Sequence, residues 1–196
     1  MPTRPRPTLV GSRVYVRPPR PADAQAFLAA ARASRSLHGA WARPPDSVER
    51  FAAFVARYGN PRSATHAGFL VLRREDHALV GAFNFSEIVR GLFCSTYLGY
   101  FAFAPHAGQG YMTDGMALVL DVAFGKLALH RVEVNIQPTN TRSLALAQRL
   151  GFTREGYSRR YVKIGGRWRD HERYAMLAED WRALRRVHAA SRVRAR

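Results

Sequence analysis

A mixed α/β or α+β layer fold is predicted by three observations along the chain. Three β-like runs, residues 68–72, 78–85 and 95–103, follow one another across short charged or glycine-containing turns, as an antiparallel run requires. The third enters a glycine-bearing loop at 105–110, then a helix-like stretch at about 112–127 and a strand at 131–137, which together form a β-loop-helix-β unit. Two more strand-like runs, 154–164 and 171–178, are joined through the turn Gly165-Gly166 as a closing hairpin.

The remaining elements follow in chain order. Residues 1–8 (MPTRPRPT) read as a flexible basic arm, because proline removes amide donors and fixes φ. Val14 to Arg17 is a short strand ended by Pro18 and Pro19. Asp23 is placed to cap an alanine-rich helix running towards Arg35, since a carboxylate there accepts from orphan amides. Between Ser47 and Tyr58, Val48, Phe51, Phe54, Val55 and Tyr58 recur at helical spacing. Residues 141–150 suit a short helix stopped by Gly151, and a last helical stretch starts near Asp180. The expected organisation is the arm, one domain over 9–185, and a basic tail over 186–196.

Composition narrows the function classes. Hydrophobic residues make up 47% and aromatics 11% of 196 residues, enough for a real core and too much for a disordered basic protein. The formal charge is +17, and only Lys126 and Lys163 among 31 basic residues are lysine. Such a surface favours polyanions: RNA, acidic membranes or phosphorylated cofactors. The single Cys94 excludes an intrachain disulfide and a cysteine-cluster metal site, and no paired histidine spacing supports metal catalysis. Without a long apolar run or an apolar leader after Met1, a cytoplasmic protein that does not span a membrane is expected.

Two segments carry chemistry. In Gly99 to Thr113 a strand enters a tight loop with Gly108 and Gly110, and a helix starts at once. Glycines let backbone amides converge, and the helix start adds a positive dipole end, the physics of a pyrophosphate cradle. An ordinary strand-to-helix turn has the same appearance. No Walker lysine or dinucleotide GxGxxG continuation is present, which argues against ATP hydrolysis and NAD binding. On the strand at 131–137, period two puts Arg131, Glu133, Asn135 and Gln137 on one face and Val132, Val134 and Ile136 on the other. That stripe either lines a cleft or faces solvent. Asn140 and Ser143 suit the start of the next helix as caps.

The combined order resembles the GNAT superfamily of acetyl-CoA-dependent N-acyltransferases. The matching features are the strand-loop-helix, the following strand, Asn140-x-x-Ser143, Leu150-Gly151-Phe152 and Glu155-Gly156. Phe93, Leu98-Gly99-Tyr100, Gly108-Gln109-Gly110-Tyr111-Met112, His130-Arg131-Val132-Glu133 and 166–171 (GRWRDH) are similar to the RimJ-type ribosomal-protein-alanine N-acetyltransferases and their RimL-type relatives. The resemblance covers roughly residues 9–185 and implies a mixed, mostly antiparallel twisted sheet flanked by helices.

It also implies site roles. Tyr100, Phe101, Ala102 and Phe103 would pair their backbone with the pantetheine arm of acetyl-CoA. Amides of Ala107, Gly108, Gln109, Gly110, Tyr111 and Met112 would hold the pyrophosphate, and Asn140 would touch the cofactor. Ala107 and Met112 depart from the usual signature of this loop. The tyrosine many relatives use as acid falls at Ala147, while Ser143 occupies the position of the RimL-type serine acid. Two positions where relatives place a glutamate base are Asn135 and Val162; Glu133, on the same face as Asn135, is either a base acting through water or a surface or structural carboxylate. Trp41 and Asn135 fall on the acceptor side, near Ser36-Leu37-His38. The implied reaction is direct acetyl transfer in a ternary complex to a protein N-terminal α-amine, with alanine of a ribosomal protein as candidate acceptor. A small amine, an aminoglycoside or lysine is the alternative acceptor. A second alternative is a nucleic-acid- or ribosome-binding protein with a degenerate acyltransferase core, whose basic end (182–196) meets RNA.

Overall fold

A computed structural model describes residues 8–60 and 63–194, with side chains through Val187. The expected arm therefore lies outside the described residues except for Thr8, whose amide donates to the Val16 carbonyl at 2.7 Å. The described strands form one eight-stranded sheet. They are β1 (Leu9–Val10), β2 (Val14–Arg17), β3 (Ala67–Arg73), β4 (Leu79–Val89), β5 (Ser95–Ala102), β6 (Arg131–Ile136), β7 (Thr153–Ile164) and β8 (Arg167–Leu177). Their order is β1-β2-β3-β4-β5-β6-β8-β7. Every neighbouring pair is antiparallel except β5 and β6.

Among the described residues six α-helices accompany the sheet, α1 (Ala24–Ala33), α2 (Arg35–His38), α3 (Val48–Tyr58), α4 (Tyr111–Asp121), α5 (Thr141–Arg149) and α6 (Ala178–Arg194), and a 3-10 turn, Pro21–Asp23, leads into α1. A wider π turn, Val122–Lys126, extends α4. The parallel β5–β6 pair needs a crossover, and α4 supplies it. Strand alternation divides the core in two. Phe69 and Val71 of β3, Phe83 and Phe85 of β4, and Val132 and Val134 of β6 face α4, α5 and α6 with Met116, Leu120 and Trp181. Leu70, Leu72, Ala82 and Phe103 face the other way, against Phe27 of α1 and Phe51 and Phe54 of α3. Burial on both faces explains the unbroken apolar run of β3. The second cluster contains no residue of β6, β7 or β8, so α1 and α3 cover only half of their side of the sheet.

Three local expectations change. Asp23 precedes α1 without capping it; its carboxylate takes a two-pronged bond from Arg17 at 2.6 and 2.7 Å and accepts the Arg20 amide at 2.8 Å. A nearly buried guanidinium competes for those oxygens more strongly than a neutral amide does. The closing strand β8 starts at Arg167 rather than 171, so the Gly165-Gly166 turn is tight, with both glycines at positive φ. Asp170 is thus a strand residue, accepting from Tyr157 Oη at 2.5 Å and the Arg160 amide at 2.7 Å. Helix α6 seats Trp181 and Leu184 on the core before its basic end, so the stretch from 182 begins as part of the packed domain.

Candidate active site

β5 and β6 share only three rungs: Ser95 with Arg131, Thr96 with Val132, and Tyr97 with Glu133. Past the third rung β5 runs on to Ala102 and β6 to Ile136 without pairing, and a cleft of about 420 Å³ opens from there. The Phe103 amide donates to the Val80 carbonyl at 2.7 Å, so by ladder alternation Phe101 and Gly99 also turn their polar groups to β4. Tyr100 and Ala102 turn theirs into the gap. The Ala102 carbonyl accepts from His38 Nε2 at 2.8 Å, which ties α2 to the rim.

One wall is the start of α4. Gly110 precedes it at φ +82° and Gly108 lies at φ +81°, a conformation in which an L side chain is strained. The Thr113 and Asp114 amides donate to the Gly110 carbonyl, while those of Tyr111 and Met112, the first two of the helix, have no acceptor within it and lie at its positive dipole end. Arg13 holds this loop from behind: Nη1 donates to the Gln109 carbonyl at 3.1 Å and Nε to Asp114 at 2.7 Å. Arg13 and Arg73 also lie 4.9 and 5.4 Å from the centre of the Tyr111 ring. Met112 reaches back to Gly81, where a Cβ would stand 2.4 Å from its sulfur.

The facing wall is α5. Asn140 caps it, its Oδ1 accepting the Ser143 amide at 3.2 Å. The capping expectation therefore describes Asn140 while leaving its NH₂ for the cleft. Ser143 lines the cleft above Tyr100, with which its side chain is hydrogen-bonded. Beneath it, desolvation pushes the Tyr100 phenol up to about 12, so the phenol stays protonated; its Oη makes a long contact, 3.4 Å, to the Ser143 carbonyl. Trp41 closes the outer end, with Nε1 donating to Thr139 Oγ1 at 3.0 Å.

Of the residues singled out from sequence, Trp41, Tyr100, Phe101, Ala102, Ala107, Gly108, Gly110, Tyr111, Met112, Asn140 and Ser143 meet at this cleft. Gln109 stands behind the loop, its side chain donating to the Pro105 carbonyl at 3.2 Å. Phe103 is fully buried in the core, its amide committed to β4. Glu133 is ion-paired to Arg131 at 2.8 Å, and Asn135, by alternation with Val134, faces the α1–α3 side of the sheet; neither lines the cleft. Arg142 and Arg149 do line it and were not singled out. Their seven-residue spacing on α5, two helical turns, is the pattern that could have found them. Arg149 reaches across to Thr113 Oγ1 at 3.4 Å. Backbone amides, a helix N-terminus and two guanidiniums suit a bound pyrophosphate, and Gly108 leaves open space where a Cβ would intrude. Among the described residues no group of three or more His, Cys, Asp or Glu could hold a metal ion.

The acetyltransferase (GNAT) domain family matches residues 13–153. The chain is 38% identical over 112 residues to the protein named "Probable N-acetyltransferase YjcK" of Bacillus subtilis (strain 168), covering 57% of this chain and 62% of that one. It is 37% identical over 107 residues to the [ribosomal protein uS5]-alanine N-acetyltransferase of Escherichia coli (strain K12), covering 55% of each. The chain thus spans less than two thirds of the length of these curated relatives. Among solved structures, Mycobacterium smegmatis RimJ in complex with CoA-disulfide superposes with a TM-score of 0.77 at 28% identity, covering 85% of this chain and 83% of that one.

Proposed function

This chain belongs to the acetyltransferase (GNAT) domain family, and we propose that it moves acetyl from acetyl-CoA to the N-terminal α-amine of a protein, by direct transfer in a ternary complex. The observation that carries the reading is the gap between β5 and β6. It is flanked by the glycine-bounded start of α4 and, facing it, by Arg142 and Arg149 of α5, and it reaches Leu37, His38 and Trp41 at its other end. Phosphates belong with the amides and guanidiniums. The pantetheine arm then extends along the edge of Tyr100 and Ala102, and the acceptor enters from the α2 side.

In the reaction the amine lone pair attacks the thioester carbonyl carbon; a C–N bond forms and the C–S bond breaks. The amine sheds one proton and the departing thiolate gains one. Ser143 is assigned as donor to the thiolate, reprotonated from solvent, with Asn140 holding the start of α5 in place. A free α-amine has a pKa near 8, so roughly a tenth is neutral at pH 7. Removal of the proton then needs only water, with Glu133, held by Arg131 outside the cleft lining at the last rung before the strands part, reached through it. A bacterial ribosomal protein is the acceptor suggested by the E. coli relative. A cytoplasmic setting accords with that acceptor, and no described helix is long and apolar enough to cross a membrane. Exposed Arg182, Arg185 and Arg186 on α6 support an accessory contact with RNA phosphates.

The reading is tested by acetyl-CoA turnover on an Ala-starting peptide, its N-terminally blocked form and a lysine-bearing control. Product on the free α-amine alone is expected; acetylation of the blocked, lysine-bearing peptide at the same rate would overturn it.

A further inference from the structure

Beyond the gap, the sheet face on the α1–α3 side carries a row of polar side chains that the reaction above does not use. β6 and β8 place Asn135 opposite Arg173, and alternation puts Gln137, His171 and Arg169 on the same face. Asn135 Oδ1, Arg169 Nε and Arg173 Nε are sealed from solvent without a hydrogen-bond partner. A buried polar atom left unpaired is costly, and Arg169 and Arg173 are half-buried residues whose guanidiniums would gain partners from a bound molecule. Arg173 lies over Gly156, where a Cβ would come within 2.9 Å of its Nη2, so the glycine makes room for the guanidinium.

The row is also roofed. Gln137 Nε2 donates to the Trp41 carbonyl at 3.5 Å, and the Arg43 guanidinium stands 3.7 Å from where a Cβ on Gly165 would be. The segment after α2 therefore spans from the cleft to the hairpin turn. The charge balance under it is one-sided. Glu133 and Glu155 are both held by Arg131, and Glu172 is held by Arg154. Arg43, Arg169 and Arg173 make no direct ion pair among the described residues, and Glu155, paired to Arg131, also feels the charge of Arg173. From Arg173, level with Asn135 just past the last β5–β6 rung, to Arg169 is four strand residues, about 13 Å. An extended peptide of four residues has that length.

Resting on the N-terminal-amine reading, we propose that the acceptor is a protein N-terminus with an acidic side chain among its second to fourth residues. Its carboxylate is held on Arg173 and Arg169 while the α-amine enters the gap. Guanidinium forks match carboxylates in geometry as well as charge. The same face repels polyamines and aminoglycosides, which separates this site from one built for small polycationic amines.

The test is kcat/KM for a series of Ala-starting peptides with Glu, Gln or Lys at positions two, three and four, with spermidine as a further acceptor. Glu is expected to exceed Gln by about tenfold at one or more positions, the size of one charge-assisted hydrogen bond, with Lys lower still. Raising salt should shrink the ranking. Arg169→Glu should invert the Glu/Lys order, with CoA binding by calorimetry showing that the variant is folded. Equal rates for Glu, Gln and Lys peptides, or a preference for Lys or spermidine, would overturn the inference while leaving acetyl transfer intact. Turnover that responds to RNA and not to peptide charge would overturn it in favour of a nucleic-acid face. If CoA binds and no peptide is acetylated, the N-terminal-amine reading fails, and the inference with it.

Discussion

Tyr97 and Glu133 stand opposite each other in the last rung that β5 and β6 share. Below them the sheet is closed, and above them it is open. Hydrogen bonding with Tyr161 and partial burial push the Tyr97 phenol up to about 12, so a neutral donor sits at this fork. Glu133 is fixed there by Arg131. The position of this rung decides where a thioester laid along β5 meets an amine arriving from the α2 side.

Ser143→Ala is expected to lower kcat about 100-fold, the ordinary contribution of a positioned acid, and to leave CoA affinity within about twofold. Calorimetry together with steady-state rates separates the two. A large loss of affinity with kcat preserved would make Ser143 a binding residue.

Gly110→Ala should weaken CoA binding by about tenfold. A side chain at φ +82° costs roughly 1–2 kcal/mol, and the new Cβ would lie 3.0 Å from the Arg13 Nη2 that steadies the loop. Titration calorimetry measures it directly.

The Trp41–Thr139 bond closes the outer end of the cleft, so Trp41→Phe and Thr139→Val should each raise the acceptor KM severalfold. A lost hydrogen bond of about 1 kcal/mol sets that scale. Because both substitutions remove one bond, the double variant should be no worse than the weaker single one. Additive losses would show that the bond has no part in acceptor binding.

Two buried histidines give the fold a pH dependence. Burial holds the His38 and His171 imidazoles below the ordinary value of 6.5. Both are neutral in the folded chain and take up protons more readily when unfolded. Their contribution to stability is complete above 6.5 and is lost as pH falls through their lowered folded values. Denaturant midpoints should therefore fall on going from pH 7.5 to 5.5, and His38→Gln or His171→Gln should flatten that slope. An unchanged slope would show that neither group is linked to folding.

Most of the fold was legible because its cues are local. The β3–β5 run, the glycine-bounded loop and the closing hairpin each carry turn chemistry or period-two alternation in adjacent residues. The cleft was legible for the same reason on the α4 side, where Gly108, Gly110 and the helix start are contiguous. Arg142 and Arg149 were harder to see, since their meaning depends on α5 facing α4 across the gap. Asp23 was misjudged as a cap because its partner, Arg17, lies on the preceding strand and outcompetes the helix amides. Phe103 and Phe101 look alike in sequence, yet the register with β4 buries Phe103 entirely and leaves Phe101 at the cleft. Asn135 and Arg173 become a pair only through the β6–β8 register, which no short window reveals.

The most direct measurement is mass-spectrometric localisation of acetyl after incubation with acetyl-CoA and an Ala-Glu-starting peptide that also contains an internal lysine. A single acetyl on the terminal α-amine, abolished when that amine is blocked, is the expected result. Acetyl on the lysine, or none on the peptide while CoA binds, would contradict it.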